Sequence, residues 1–398
     1  MKRSYPKLGL LCSESPISLA VMREVGAHGV PIVAITRDAD SFLKHSRYAS
    51  QAVHRPKGAL ATWLPQLAEK LGIEAVMAIG ESDLVELAEL KQGSHAFQIA
   101  APDPDTLDLV LDKSALLAKA ESLGLTVPWS LQPEQPDSAD FKAANVSFPL
   151  IAKWSNPLEI QPHLEAAGIA FEKVRYFQTM DEVEAYLTSL TPLGRWPLFQ
   201  EYCPGYGLGQ MFHLADGEVT LRFQHRRLRE WPLTGGVSSF CQAVPLSEHT
   251  ELRALSETLL RELKWSGPAM VEYRFDPQTG IARLMEINGR FWGSLPLATA
   301  AGVHFAWETY RHAFLQSPEA HGQPEYPPCK ARYMAPELKN LRDVTLGRQP
   351  AKAKASFLFR FLSDFFDRSV HYYLFSRRDP KPFFFDIRNA LKRSGTGR

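Results

Sequence analysis

The 398-residue chain carries 45 Lys and Arg against 44 Asp and Glu, a net charge of +1, with 45% hydrophobic and 22% charged residues. That balance excludes an intrinsically disordered chain and gives no overall attraction to nucleic acid. The length predicts two or three packed units. Cys12, Cys203, Cys241 and Cys329 lie far apart, with no CxxC and no His at metal spacing, so they read as reduced thiols of a cytoplasmic protein.

Met1-Lys2-Arg3 ahead of an apolar run over 8–12 has the outline of a secretory signal, but the run is too short for one. It reads instead as a buried first strand. No apolar run has the length of a membrane span. Up to residue 105 strands and helices alternate. Strands are expected over 8–12, 30–36, 75–80 and 97–101, and helices over 15–25, 60–71 and 83–90. This rhythm predicts a small parallel sheet with helices on both faces. No GxGxxG follows the first strand, which argues against a dinucleotide site. Glu81, Ser82 and Asp83 open a helix after a strand. Open α/β sheets bind ligands there, and Ser82 or Asp83 capping the helix is the plainer alternative.

Asp112-Lys113-Ser114 precedes a helix over 115–123 that Gly124 ends before Leu125-Thr126-Val127-Pro128. An apolar strand over 148–153 ends in Lys153, which is either a snorkelling edge lysine or one aimed at a ligand. Trp154-Ser155-Asn156-Pro157 then leads into a long stretch with only Gly168 before Lys173. A helix over 180–190 and a strand over 198–203 follow, then Pro204-Gly205-Tyr206-Gly207-Leu208-Gly209, expected to be a flexible hinge. A hairpin pairs 211–214 with 219–223 across Ala215-Asp216-Gly217-Glu218. Arg222, Arg226, Arg227 and Arg229 come next, ahead of the loop Thr234-Gly235-Gly236-Val237-Ser238-Ser239. Arginine forks beside such a loop suit a planar oxyanion, a carboxylate or acylphosphate. Phe223 is the one aromatic among them, which argues against a nucleic-acid surface. Solvated charge on a strand edge is the alternative for at least two of these arginines.

After a helix over 249–263 comes the stretch on which the chain is organised, 267–302. Met270, Glu272 and Arg274 share one face of a strand. Asp276-Pro277-Gln278-Thr279-Gly280 is turn chemistry, and a second strand over 281–287 carries Glu286. Antiparallel pairing brings Glu272 near Glu286, with Asn288 on the same face. Two carboxylates and an amide oxygen form a hard oxygen set suited to Mg²⁺. Arg290 reaches the same place as a clamp on phosphate charge. A surface charge ladder is the competing reading. Against it, Leu284, Met285, Ile287, Phe291, Trp292 and Leu295 surround the carboxylates, which then need a counter-charge. A helix over 304–315 and a Pro-rich linker over 318–328 complete this part.

Glu272, Glu286-x-Asn288 and Arg290 resemble the metal-binding end of the ATP-grasp superfamily. With Ser294 and the run over 298–302 they look most like its carbamoyl-phosphate-synthetase-like branch. The resemblance covers residues 5–315. It implies an α/β pre-ATP-grasp domain over 1–105, to which Ser46-Arg47-Tyr48-Ala49 and Gly80-Glu81-Ser82-Asp83 are similar. Two α+β subdomains follow, A over 106–195 and B with the metal site over 196–317, and then a linker and C-terminal extension over 318–398. It further implies Mg²⁺, with Mn²⁺ as a substitute, on Glu272, Glu286 and Asn288. Lys113 and Lys153 would lie on the phosphates of ATP, and the main chain of Glu201, Tyr202 and Cys203 on adenine. The loop with Ser238 would border the phosphate, and Arg290, Lys153 and Arg226 would act on the transferring phosphoryl group.

Two departures stand out. No glycine-rich flap follows Lys153, and no carboxylate for a ribose stands near Gly207, Leu208 and Gly209. The reaction implied is phosphorylation of a small-molecule carboxylate by Mg-ATP and coupling of the acylphosphate to an amine. Bicarbonate, a thiol or a phosphate as acceptor is the alternative on the same fold. An ATP-binding regulator without turnover is a third reading.

The last segment, 351–398, holds eleven Lys and Arg against four Asp, a net charge of +7, and eleven Phe and Tyr. Phe357, Leu358, Phe361, Leu362, Phe365 and Phe366 recur on one helical face, with Arg360, Ser363, Asp364 and Asp367 opposite. Phe383-Phe384-Phe385 follows, backed by Arg388, Lys392 and Arg393. Either the helix packs on the body of the protein, or aromatics and bases together hold an anionic membrane face or a partner protein.

Overall fold

Three sheets carry the chain in the computed structural model, which describes residues 5–137, 139–232, 235–315 and 325–395. The first is parallel. β1 (Leu8–Leu11), β2 (Ile32–Thr36), β3 (Ala49–His54), β4 (Ala75–Ala78) and β5 (Gln98–Ala100) lie in the order β3-β2-β1-β4-β5. β1, β2 and β4 are buried on both faces, so their sequences are continuous apolar runs. β3 lies outside the expected strands because it is a mostly exposed edge strand, ASQAVH, with no apolar alternation.

A smaller sheet follows. β6 (Ser130–Leu131), β7 (Leu150–Lys153), β8 (Arg175–Phe177) and β9 (Leu198–Glu201) are antiparallel in the order β6-β9-β7-β8. Phe141, Phe177 and Phe199 pack beneath it with Val183 and Leu187 of the helix Met180–Ser189. Past Lys153, Asn156 caps the helix Pro157–Ala166 by accepting from the amides of Leu158 and Glu159.

The third sheet has seven strands. They are β10 (Tyr206–Ala215), β11 (Glu218–Trp231), β12 (Val237–Ala243), β13 (Gly267–Phe275), β14 (Ala282–Asn288), β15 (Lys330–Arg332) and β16 (Val370–Tyr372), in the order β14-β13-β10-β11-β12-β15-β16. Two expectations are corrected. Residues 206–209 are the start of β10 rather than a hinge, and the arginine-rich stretch continues β11 in the interior of the sheet. The glycines serve their neighbours. A Cβ on Gly207 would lie 2.6 Å from Arg227 Cδ, and one on Gly209 2.5 Å from His225 Nε2. No helix among the described residues is long and apolar enough to cross a membrane.

The C-terminal segment joins this sheet through β15 and β16. Of the expected linker over 318–328, residues 318–324 lie outside the described residues. In the helix Ala351–Ser363 only Phe361 is fully buried. The rings of Phe361 and Phe365 lie 4.1 and 4.7 Å from the buried Arg332 guanidinium, and Phe357 lies near Arg229. Arg332 pairs with Glu337 at 2.9 Å, and Glu337 also receives Arg229 at 2.6 Å and Ser239 at 2.7 Å. Arg229 reaches Asp364 as well. Farther on, Asp379 accepts from Arg23, Ser46 and the amide of Arg47, fastening the segment to the helix Pro16–Ala27 and to the turn before β3. The inward face is therefore narrower than expected. Leu358, Leu362 and Phe366 point outward with Phe359, and Phe366 is 86% exposed.

Glu337→Ala leaves Arg332 buried without its carboxylate. Breaking a buried pair this way costs about 3–5 kcal/mol, a loss that urea unfolding should show. A loss within about 0.5 kcal/mol, as at an ordinary surface site, would mean that this cluster does not anchor the segment.

Candidate active site

The turn at 276–280 sets the register of β13 and β14, placing Glu272 directly across from Glu286. A bulge next to this pair leaves Met285 unpaired, and Asn288 comes opposite Met270. Asn288 Nδ2 donates to Glu286 Oε1 at 3.2 Å. Glu272 Oε2 meets Arg227 Nη2 at 2.6 Å. Arg227 is held in turn by Glu230 at 2.8 Å and the Gly236 carbonyl at 3.1 Å, and Arg274 pairs with the other oxygen of Glu230 at 3.0 Å.

The smaller sheet supplies the cations for Glu286. Asp112 Oδ1 accepts from the amides of Ser114 and Ala115 and from the Ser155 hydroxyl at 2.7 Å. This clasp joins the start of the helix Lys113–Ser122 to the end of β7, so Lys113 and Lys153 come to one place. Lys113 Nζ lies 3.9 Å from Glu286 Oε2. Burial alone would raise the pKa of Glu286, but Lys113, Lys153 and Lys173 outweigh it and hold the carboxyl below its ordinary range. Burial lowers the Lys153 ammonium, against the pull of Glu286. Glu272 is raised by burial and by Glu286 and Glu230, against Arg227. The two adjacent carboxyls are thus pushed in opposite directions.

The structure brings Lys113, Lys153, Glu272, Glu286 and Asn288 together. Arg290 turns away from the hairpin, with Nε 3.2 Å from Glu81 Oε2 and Nη1 on the Phe291 carbonyl. That contact links Glu81, which opens the helix after β4, to the chain just past β14. Its neighbours have other bonds: Arg37 donates to Ser82 and Asp83, and Arg55 to Asp83. The helix Glu81–Leu90 has Gly80 at its N-cap and no side-chain cap. Glu201 accepts from the Trp129 amide and from Arg283, so its carboxylate is taken. Tyr202 and Cys203 follow the last paired residue of β9. Burial pushes the Cys203 thiol up to about 11. Ser238 stands opposite Glu230 in the ladder between β11 and β12.

Arg226 is a correction. It pairs across from Leu208, is exposed and donates to Gln242, on the face of the sheet away from Glu272. Arg227 occupies the site instead. His225 shares its face, is buried, and has both ring nitrogens without a partner among the described residues. Burial and Arg227 keep it neutral down to about 3. Reading β11 as one strand through 231 would have found both, since alternation from Phe223 puts 225 and 227 inward.

Among the described residues no three His, Cys, Asp or Glu side chains stand together as a metal cluster. The oxygen set is two carboxylates and a carboxamide. Such a set suits a magnesium ion that keeps waters and takes phosphate oxygens as its remaining ligands.

No family model matches the sequence, and no curated protein matches it. Solved structures do match in three dimensions. An L-amino acid ligase from Bacillus licheniformis superposes with a TM-score of 0.58 at 17% identity, over 78% of this chain and 74% of that one. The biotin carboxylase domain of 2-oxoglutarate carboxylase from Hydrogenobacter thermophilus, in complex with MgADP, ADP and bicarbonate, gives 0.64 at 17% over 82% and 74%. N5-carboxyaminoimidazole synthetase from Staphylococcus aureus gives 0.63 at 12% over 83% and 82%. The chain has the ATP-grasp fold. Within that fold, the carboxylate hairpin lies at the edge of the third sheet, and Lys113 and Lys153 approach it from the second.

The lowered pKa of Glu286 has a sign. Its ionised form stabilises the fold above the ordinary glutamate pKa, and that increment is lost as pH falls through the lower folded value. Glu286→Gln lacks the increment. Urea unfolding across a pH series should therefore show the two proteins converging in acid and the wild type gaining towards neutrality. A gap that widens in acid would contradict the cation cage around Glu286.

Proposed function

We propose that this chain is a cytoplasmic ATP-dependent ligase that activates a small-molecule carboxylate and joins it to an amine. The observation that carries this is the convergence of two lysines from one sheet on the Glu272–Glu286–Asn288 set of another. The solved structures of like fold include an amino acid ligase and a carboxylase domain holding MgADP, which supports ATP as the phosphoryl donor. Glu272, Glu286 and Asn288 would hold Mg²⁺, or Mn²⁺ in its place, and the metal would neutralise phosphate charge. Lys113 and Lys153 grip phosphate oxygens, and the main chain at 201–203 receives the adenine.

The substrate carboxylate attacks the γ-phosphorus as ADP leaves. The amine then attacks the acyl carbon, loses a proton, and inorganic phosphate departs. Arg227 borders the place where this charge moves, whereas Arg290 is turned towards Glu81. Arg227 is held by Glu230 and the Gly236 carbonyl through Nη1 and meets Glu272 through Nη2, so if Glu272 held a metal, Nη2 would be available to an oxyanion. Four free, buried cysteines fit a reducing compartment. A second reading, nucleotide binding without turnover, draws on the helix Pro157–Ala166 standing where the family resemblance would place a glycine-rich flap.

Glu286→Gln should abolish Mg²⁺-dependent ADP formation with pooled amino acids as acceptors while the protein stays folded. Wild-type turnover in that variant would sink the metal assignment. Wild-type protein that binds nucleotide but never forms ADP with any acceptor would favour the second reading. Lys153→Ala should raise the ATP concentration needed far more than it lowers the nucleotide-free Tm, and the reverse pattern would make Lys153 structural.

We also propose that the outward face of the helix Ala351–Ser363 docks on an anionic membrane surface. Phe359 is 74% and Leu362 50% exposed, and Lys352 and Arg360 flank them. Each base near such a surface contributes about 1 kcal/mol. Salt-sensitive co-sedimentation with phosphatidylglycerol vesicles is expected, and Phe359→Asp with Phe366→Asp should remove it while ATP turnover is retained. Failure to sediment, or concentration-dependent dimerisation through these residues, would overturn the membrane assignment.

A further inference from the structure

Between the first and third sheets lies a cavity of about 300 Å³. That volume is at the lower end of small-molecule pockets, about 300–1,000 Å³. Met77 of β4, Ile99 of β5, Leu84 of the helix Glu81–Leu90 and Phe291 supply its apolar lining. The charged part of the lining has one sign. Lys91, Arg290 and His312 belong to it, and among the described residues no Asp or Glu does.

These cationic groups have donors to spare. Lys91 is exposed, and its ammonium donates to the Ala101 carbonyl at 2.6 Å but meets no carboxylate among the described residues. An ammonium carries three donors, so two remain. Arg290 is 26% exposed. Its Nε donates to Glu81 and its Nη1 to the Phe291 carbonyl, which leaves Nη2 without a partner among the described residues. His312, on the helix Phe305–Leu315, is partly exposed and has an edge contact with the His213 ring at 6.1 Å. All three side chains reach solvent, so an entering molecule can meet them. A spare guanidinium nitrogen and an ammonium without a carboxylate favour an anion. The apolar lining favours one that carries hydrocarbon over a bare inorganic ion, whose hydration the cavity cannot replace.

We propose that this cavity binds a small organic carboxylate with an apolar body. Its carboxylate accepts from Arg290 Nη2 and from the Lys91 ammonium, and its hydrocarbon lies against Leu84, Ile99 and Phe291. Arg290 is already turned from the carboxylate hairpin towards Glu81. A carboxylate on Nη2 gives it a second anion that holds it there. The occupant is then an inhibitor, because it keeps Arg290 from the transferring phosphoryl group. That step rests on the ligase reading, whereas binding itself does not.

Calorimetric titration of sodium benzoate into the nucleotide-free full-length protein tests the site. Saturable one-to-one binding is expected, weakening as salt is raised. Benzamide has nearly the same shape without the charge and should bind about tenfold more weakly. Lys91→Gln should weaken benzoate about threefold, the worth of an exposed ion pair, and leave benzamide unchanged. Ala313→Trp, from the partly exposed side of the helix Phe305–Leu315, fills the cavity and should abolish benzoate binding. The Lys91→Gln result keeps the test decisive if Ala313→Trp does not fold. Absence of saturable binding, equal affinity for benzamide, or unchanged benzoate binding in Lys91→Gln or in a folded Ala313→Trp protein would overturn the proposal. MgADP binding measured on the same samples judges the ligase reading separately, because its failure leaves the benzoate result standing. Where ADP forms, benzoate should slow it in the wild type and need about threefold more to do so in Lys91→Gln. Full turnover at saturating benzoate would overturn the inhibitory role.

Discussion

Two carboxylates facing each other on adjacent strands impose the condition that the rest of the chain meets. Glu272 and Glu286 are directly opposite, close to apolar side chains, and like charges so placed resist ionising together. The chain answers from several directions. Arg227 comes from the interior of the same sheet, and Lys113 and Lys153 from a second sheet joined by the Asp112–Ser155 clasp. The result is a cleft whose two walls are drawn together by charge, with the acceptor oxygens on one side and the lysines on the other. On the proposed reading, a divalent ion with nucleotide phosphates would satisfy both walls at once.

Arg227 shows how the backbone accommodates the demand. A long cationic side chain can lie across a sheet only where the neighbouring strand gives up its own side chains, and Gly207 and Gly209 do so for Arg227 and His225. Similar economy governs the C-terminal segment. Arg229, two residues beyond Arg227, engages Glu337 and Asp364 and ties the last helices to the sheet. One strand thus serves the site with one arginine and the packing of the C-terminal segment with the next but one.

The carboxylate hairpin was legible because a strong turn fixes register and the period of two fixes the face. Glu272, Glu286 and Asn288 needed no further information. The parallel sheet was legible from buried apolar runs, apart from β3, whose exposed residues carry no pattern. Glycines at 207 and 209 misled, since glycine marks flexibility and close approach equally, and only the partner strand tells which. Ending the hairpin at Phe223 hid the alternation that separates Arg226 from Arg227. The sequence period of the aromatic helix near the end predicts one broad apolar face. The neighbours of that helix cover only Phe361 and part of Phe357, while Phe365 is 47% exposed, and no sequence period records which half of a stripe finds a partner.

The central claim is that the Glu272–Glu286 pair and the two lysines form one site for a metal–nucleotide complex. Calorimetric titration of ADP into the wild-type protein, with and without Mg²⁺, tests it most directly. The account expects one saturable site whose affinity rises steeply when Mg²⁺ is present. Binding that is indifferent to Mg²⁺, or no binding at all, would contradict it.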